Sequence, residues 1–575
     1  MTTYLGFSCS QHDPAIAVVD EMGVLRFAEA NERGLKCKRG WHAAPDAFGL
    51  IEPLISEFVD EGQVSANVSW SRNALASVRF LAPVSRWTIA AYEMMGMSEA
   101  ALGRAWTFRH GLYKAPTSVS DLMLNLELRL REQRGFHSRI RKQGWNHHLC
   151  HAAAACLSSP FEEALCVVMD GMGEGSSTAV FSFHNGELMR LDAPRYANLA
   201  SLGIFYSQIC FAAGFDPLAG EEWKLMGLAA YGKLDLELYD QLKGALVVRA
   251  NHLSLSRSYA ATIDRLLPMR ERGPEANADL AFTAQRVFEE TLFEFLIEAH
   301  RRWGGENLVF TGGCALNSSA NGKILASTPF RHLHIPMAPG DDGNAAGAAL
   351  LAWQADHPGA RAPRFSSPYL GSALRPETVV RLSEHGIAPY MKAANPDHLA
   401  DLIADELANG SIVGLMQGRA EFGPRALGNR SILADPRSPS IKDRLNASVK
   451  FREKFRPFAP SILHEFGPEY FEDYAMSPYM DRTLRWLPGK APEGVRHVDD
   501  TGRLQSVTEM GNPFFHKLIS AFYDRTGLPI VLNTSFNVMG RPMVHDAEDA
   551  IGVFFTSGLD ILVLGDTAFR KSTRS

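Results

Sequence analysis

The sequence predicts an α/β protein in two parts, residues 1–356 and 357–575, the first built from an internally repeated unit. Three observations carry this. The chain opens as strand, turn, strand (TYLGFSC at 3–9, AIAVVD at 15–20, then VLRFAEA), and a similar set returns at ALCVVMDGMGEG and STAVFSFHNGELMRL. Short β-branched and aromatic runs broken by Gly, Asn and Asp are the pattern of paired strands. A long amphipathic helix at 276–303 then leads into NLVFTGGCALNSSANGK, a buried strand running through Gly-Gly into a helix. Finally ADHPGARAPRFSSP, 355–368, gathers Pro, Gly and Ser and marks the boundary.

A length of 575 residues allows several units with sizeable cores. The net charge of −6 excludes a nucleic-acid binder driven by overall charge. The densest basic run, 129–142, reads as a helix end and loop. No apolar run reaches the roughly 18 residues of a membrane span, and no membrane partner is expected. The first twenty residues lack a basic segment followed by an apolar one, so they read as a first strand rather than a signal peptide. All seven cysteines lie between positions 9 and 314 with no CxxC pair. That is reduced-compartment usage, and a cytoplasmic location is expected.

In chain order, His12 and Asp13 fall in the loop after the first strand, where exposed side chains on a fixed backbone favour a site. A helix is expected at 46–60. Residues 65–140 are rich in Trp, Met and Arg, with an amphipathic helix at about 119–134. Such an insertion serves either as a lid or acceptor pocket, or as a helical addition packing its own aromatics. Next comes NHHLCHAAAA, 146–155, in which His147 and His151 stand on one helix face. VVMDGMGEG offers Asp170, and APGDDGNAAG offers Asp341 or Asp342. Two histidines and two aspartates without a thiolate describe a site for Fe(II), Mn or Zn. A histidine pair at this spacing is also an ordinary solvated helix face, but the glycine-rich setting of both aspartates favours the site.

EEWKLMGLAAYGK places Lys224 ahead of a helix containing Gly227, and TGGCALN supplies Gly312, Gly313 and Asn317. Gly-Gly between a buried strand and a helix lets backbone approach a nucleotide closely. With GDDGNAAGAA downstream, this is the order of an adenosine pocket in actin-like ATPase folds, whose internal duplication the repeated strands also suggest. Beyond the linker, Arg419, Arg425, Arg430, Arg444, Lys450, Arg452, Lys454 and Arg456 are interleaved with Gly, Pro and apolar residues. A purely solvated face would not need those breaks. A cleft that grips phosphate oxygens with guanidinium forks would. The last third adds Arg503, a second buried strand and a polar turn, Asn533-Thr534-Ser535.

HHLCH, DGMGEG, KLMGLAAYG, TGGCALNS, GDDG, GPRALGNRS, VKFREKFRPFAPS and NTSFN together resemble the O-carbamoyltransferases of antibiotic and nodulation-factor biosynthesis, over nearly the whole chain. The resemblance implies an actin-like domain (ASKHA, duplicated ribonuclease-H-like), related to the ATPase of tRNA threonylcarbamoylation, fused to a YrdC-like α/β domain. The YrdC-like half would turn carbamoyl phosphate and Mg-ATP into carbamoyl adenylate. The actin-like half, holding iron(II), would transfer the carbamoyl group to a hydroxyl of a small-molecule natural product.

By motif, the resemblance makes His147, His151, Asp170 and Asp341 (rather than Asp342) the metal ligands, and His12 the loop histidine of the transfer site. It places carbamoyl phosphate on Lys450, Arg456, Arg503 and Ser535, with Lys450 and Arg456 catalytic. Arg419, Arg425 and Arg430 would contact nucleotide or phosphate. The acylphosphatase domain and Cys-rich zinc modules of the hydrogenase-maturation relatives are not found, so a protein cysteine is not the expected acceptor.

Charge neutralisation serves adenylate formation, whereas transfer needs a polarised carbonyl and a deprotonated alcohol. Two chemistries imply two sites, and a reactive intermediate implies an enclosed route between them. Two rival readings are a small-molecule kinase of the actin-like class and a nucleotide-responsive regulatory protein.

Overall fold

Two five-stranded sheets share one strand order. In the first, β1 (Thr2–Ser8), β2 (Ala15–Val19) and β3 (Leu25–Ala30) form an antiparallel meander. Strands β4 (Gln63–Val68) and β5 (Ile140–Gly144) extend it in parallel beyond β1. In the second, β6 (Glu163–Met169), β7 (Thr178–His184) and β8 (Glu187–Arg190) make the meander. After a separate hairpin, β9 (Leu246–Arg249) and β10 (His252–Leu255), the strands β11 (Asn307–Thr311) and β12 (His332–His334) extend the second sheet in parallel beyond β6. Both orders read third, second, first, fourth, fifth. This is a duplicated ribonuclease-H-like, actin-like architecture. The β7–β8 turn has Asn185 at φ 53° and Gly186 at φ 92°, the two left-handed residues of a tight hairpin turn.

The computed structural model describes residues 2–571 apart from 10–11, 42, 44–50, 60–61, most of 72–123, 133–134, 136–139, 193–199, 386–390, 394 and 396–397. The expected helix at 46–60 is seen as Ile51–Phe58, and that at 119–134 as helical backbone over 124–132. Most of the 65–140 insertion lies outside the described residues. No helix among those described is long and apolar enough to cross a membrane.

Two helices, His147–Leu157 and Asn344–Asp356, pack back to back, and their alanine-rich composition follows from that closeness. A Cβ at Gly347 would lie 2.0 Å from the Cys150 carbonyl oxygen, and one at Gly6 would lie 1.9 Å from that of Ala345. Neither backbone can yield without moving its helix. Gly347→Ala is therefore expected to cost at least the roughly 1–3 kcal/mol of an overpacked core, read as a lowered urea midpoint.

The remaining strands build a mixed eight-stranded sheet. They are β13 (Met391–Ala393), β14 (Val413–Met416), β15 (Arg430–Ala434), β16 (Ala459–Leu463), β19 (Gln505–Val507), β20 (Ile530–Ser535), β21 (Ile561–Leu564) and β22 (Thr567–Arg570). A small ladder joins β17 (Thr483–Arg485) to β18 (Thr501–Arg503). Apolar faces of the helices Leu399–Ala408 and Pro513–Thr526 form a common core with one side of this sheet.

Three local expectations are corrected. Lys224 lies within the helix Glu222–Leu228, not ahead of it. Gly312-Gly313 opens a 3-10 turn, Gly313–Leu316, and a four-residue helix, Ser318–Asn321, because Asn317 caps a new start by accepting from the Ala320 amide. Residues 533–535 end strand β20 rather than forming a turn, since they pair in register with β15. Beyond Asp356 the Pro/Gly/Ser linker has no regular structure, yet it is tied down: Arg364 donates to the carbonyls of Pro160 and Phe161, and Ala362 is buried.

Candidate active site

The helix His147–Leu157 begins where Asn146 accepts from the Leu149 amide, which fixes the orientation of its first turn. His147 Nδ1 lies 3.3 Å from the Ser69 carbonyl, which turns Nε2 toward the carboxylates. Nε2 is 3.3 Å from Asp170 Oδ2 and 3.5 Å from Asp341 Oδ1. One turn on, His151 Nε2 is 3.4 Å from Asp341 Oδ1 and is buried without a hydrogen-bond partner. Asp170 follows β6, and its other oxygen accepts from the Gly313 amide at 2.9 Å. Asp341 begins the turn entering the helix Asn344–Asp356. The four donor atoms lie within 4.8 Å of one another and all four residues are buried.

Electrostatics fits a cation there. Burial opposes an imidazolium at His147, but the Asp341 charge and hydrogen bonds to both carboxylates push it up to about 10. Burial and the Asp341 charge oppose ionisation of Asp170, yet His147 and His151 bring it down to about 2. Two buried carboxylates so close demand positive charge between them. An orphaned imidazole nitrogen and an N2O2 donor set therefore fit a divalent metal. Asp342 is not in this group; burial and the Asp13 and Glu32 charges push it up to about 7.

His12 stands beside the group, its Nδ1 3.9 Å from Asp341 Oδ2 and 2.7 Å from Asp13 Oδ2. Arg39 reaches the pair, 3.4 Å from Asp13 and 3.0 Å from the imidazole. Asp13 holds φ 52° and Arg39 φ 60°, left-handed geometry that non-glycine residues adopt only under constraint.

A cavity of about 2840 Å³ runs from this centre to residues of the last third of the chain. Its lining includes His12, Asp170 and Asp341, and also Lys450, Arg456, Arg503 and Ser535. Lys450 leaves a π-helical turn, Asn446–Lys450, that Phe451 ends at φ 48°. Its Nζ donates to the Ser535 carbonyl and to Asn537 Oδ1 at 2.8 Å, and lies 3.3 Å from Ser535 Oγ. Burial, with the charges of Arg452, Arg456 and Lys38, holds Lys450 well below the usual lysine range. Burial brings Arg456 and Arg503 down to about 10. Each has a buried Nε with no hydrogen-bond partner.

The other expected contacts divide. Gly227, Gly313, Asn317 and Arg425 line the cavity, and Arg425 Nη2 lies 3.4 Å from the Leu316 carbonyl. Lys224 lines it too, but its ammonium is engaged by Glu221 at 2.6 Å and Glu453 at 2.9 Å. Gly312 sits behind the wall, at φ 93°, where a Cβ would lie 2.4 Å from the Met169 carbonyl oxygen. Arg419 and Arg430 do not join the site, a correction to the expected phosphate grip. Arg419 donates to the carbonyls of Gly371 and Leu370, and Arg430 to those of Gln417 and Ser372. Their forks hold loop backbone instead.

Sequence reasoning missed several wall residues. Lys38 comes from the N-terminal part; burial and the Arg456 and Lys224 charges hold it below the usual lysine range. Glu174 accepts from the amides of Ser71 and His147. Asn537 completes the seat of Lys450. The last two stand inside motifs already singled out, DGMGEG and NTSFN, but nothing in a motif says which of its letters face inward.

Comparison with known proteins supplies the class. Two family models match, described as Carbamoyltransferase N-terminus over residues 125–350 and Carbamoyltransferase C-terminus over 404–571. The chain belongs to the carbamoyltransferase family and is a carbamoyltransferase enzyme. The nodulation protein NolO of Bradyrhizobium diazoefficiens is 37% identical over 441 residues, 75% of this chain and 79% of that protein. Nodulation protein U of Rhizobium tropici is 33% identical over 446 residues, 71% of this chain and 72% of that one. Among solved structures, HypF of T. kodakarensis is similar at 14% identity and a TM-score of 0.32, covering 61% of this chain and 47% of that one.

Proposed function

We propose that the protein is an ATP-dependent O-carbamoyltransferase that works at two centres of one cavity. Residues 357–575, in this reading a YrdC-like domain, convert carbamoyl phosphate, water and Mg-ATP into carbamoyl adenylate, phosphate and pyrophosphate. Residues 1–356 then pass the carbamoyl group to a hydroxyl of a small-molecule natural product, with AMP as the leaving group. The observation that carries this is the cavity shared by the His/Asp group and the basic cluster. An intermediate made beside Lys450 and Arg456 can reach His12 along this one cavity.

Carbamoyl phosphate has few apolar handles, so charge-assisted hydrogen bonds must hold it. The guanidinium groups of Arg456 and Arg503 and the Lys450 ammonium, all on the cavity wall, answer that need. His147, His151, Asp170 and Asp341 would hold the divalent metal, Fe(II) in this reading, which would supply a Lewis acid for a carbonyl. The acceptor's proton passes to Nε2 of His12, the ring nitrogen opposite the Asp13 contact. Asp13, kept ionised against burial chiefly by Arg39 and His12, steadies the imidazolium that forms.

Release of pyrophosphate from ATP that requires carbamoyl phosphate tests this reading. A kinase would give ADP, and a regulatory protein neither product. Labelled carbamoyl phosphate with a panel of hydroxylated small molecules then finds the acceptor. His12→Asn is expected to lower transfer roughly 10²–10⁴-fold, the usual worth of a positioned base, with metal content unchanged. Loss of metal in that variant would make His12 a ligand instead.

A further inference from the structure

We propose that the phosphate-binding cluster is assembled across the two parts of the chain, with Trp223 of the N-terminal part as the positioning residue that holds Arg456 for its ligand. This rests on the assignment of Arg456 to carbamoyl phosphate above.

Three contacts dock the loop 453–456 onto the other part. Phe455 is buried in the core formed by the helices Leu202–Ala212 and Ala278–Trp303, its ring 6.4 Å from that of Phe215 and 6.3 Å from that of Tyr231. Glu453 accepts from Lys224 at 2.9 Å, and Glu221 braces the same ammonium at 2.6 Å. Arg456 lies with Cζ 3.7 Å from the centroid of the Trp223 ring. Trp223 and Lys224 are neighbours on one helix, Glu222–Leu228, so that helix fixes both the loop and its guanidinium.

The chemistry explains why an indole stands there. A guanidinium's N–H groups lie in its own plane, so a ring beneath Cζ need not consume them, and the ring's electron-rich face compensates part of the desolvation. One edge of Arg456 leans on Glu453, 3.4 Å from Nη1, while Nε is buried without a partner and the side chain lines the cavity with Lys450 and Arg503. A long flexible side chain is thus held with donors unused, which is the state an anion-binding residue needs before its ligand arrives. An aliphatic residue at 223 would fill space without holding the plane.

The experiment compares Trp223→Phe and Trp223→Leu in carbamoyl-phosphate-dependent pyrophosphate release. Phe retains a ring face and should keep KM for carbamoyl phosphate within about threefold of wild type. Leu should raise that KM at least about tenfold, a little over 1 kcal/mol, with a smaller change in kcat. Transfer from carbamoyl adenylate supplied ready-made should not change. A wild-type KM in Trp223→Leu, or equal loss in both variants, overturns the proposal. Should the wild type itself release no pyrophosphate, the two-centre reading fails. The positioning role is then decided by calorimetric affinity for inorganic pyrophosphate: weaker in Leu alone upholds it, equal in both variants overturns it.

Discussion

Arg456→Ala is expected to abolish carbamoyl-phosphate-dependent pyrophosphate release while leaving transfer from supplied carbamoyl adenylate intact. The guanidinium is partly buried on the cavity wall, its Cζ 3.7 Å over the Trp223 ring, and its Nε is satisfied by no protein group. In the proposed scheme its removal takes away a charge-assisted contact to a dianion, so the loss should exceed that of a surface cation. It also leaves Lys450 and Arg503 to bind a dianion without it. Arg456→Lys should rescue poorly, since a single ammonium reproduces neither the fork nor the stack. In the proposed scheme transfer takes place elsewhere along the cavity, at His12 and the His/Asp group, which the substitution does not touch. Normal pyrophosphate release by Arg456→Ala would mean that carbamoyl phosphate binds at another place.

What the sequence reveals here follows from how locally each feature is encoded. The strand runs of the two meanders, the Asn185-Gly186 turn and the helix Ala278–Trp303 were legible because period, turn chemistry and length are local signals. That His147, His151, Asp170 and Asp341 meet was legible only through motif order, since a helix, a strand end and a distant turn supply them. Arg419 and Arg430 show the limit. In the sequence they are indistinguishable from Arg425, three arginines among glycines. The fold uses two of them to satisfy loop carbonyls and turns the third to the cavity. Which arginine serves structure depends on where unpaired carbonyls fall, and that is decided by Gln417 and by Gly371 and Ser372, the latter two 48 and 58 residues from the arginines they accept from. Trp223 was invisible for a similar reason: its partner is more than two hundred residues away in the chain.

His151→Ala is expected to be the converse variant, with carbamoyl-phosphate-dependent pyrophosphate release within a few-fold of wild type and no carbamoylated product. His151 is buried on the face of the His147–Leu157 helix that looks at Asp341, and its Nε2 has no hydrogen-bond partner. Alanine is the residue that follows it four times over in 152–155, so the helix itself loses little. What goes is one of two imidazole nitrogens facing two buried carboxylates. Asp170 and Asp341 are then left closer to mutual repulsion, and a divalent ion has three donors in place of four. Metal affinity should fall by more than the roughly 10–100-fold that loss of an outer hydrogen-bond partner costs, which metal analysis after dialysis reads directly. The basic cluster draws Lys450, Arg456, Arg503 and Ser535 from other elements and should keep its full capacity. Equal loss of pyrophosphate release and of product would mean that one centre performs both steps, and the two-centre scheme would have to be abandoned.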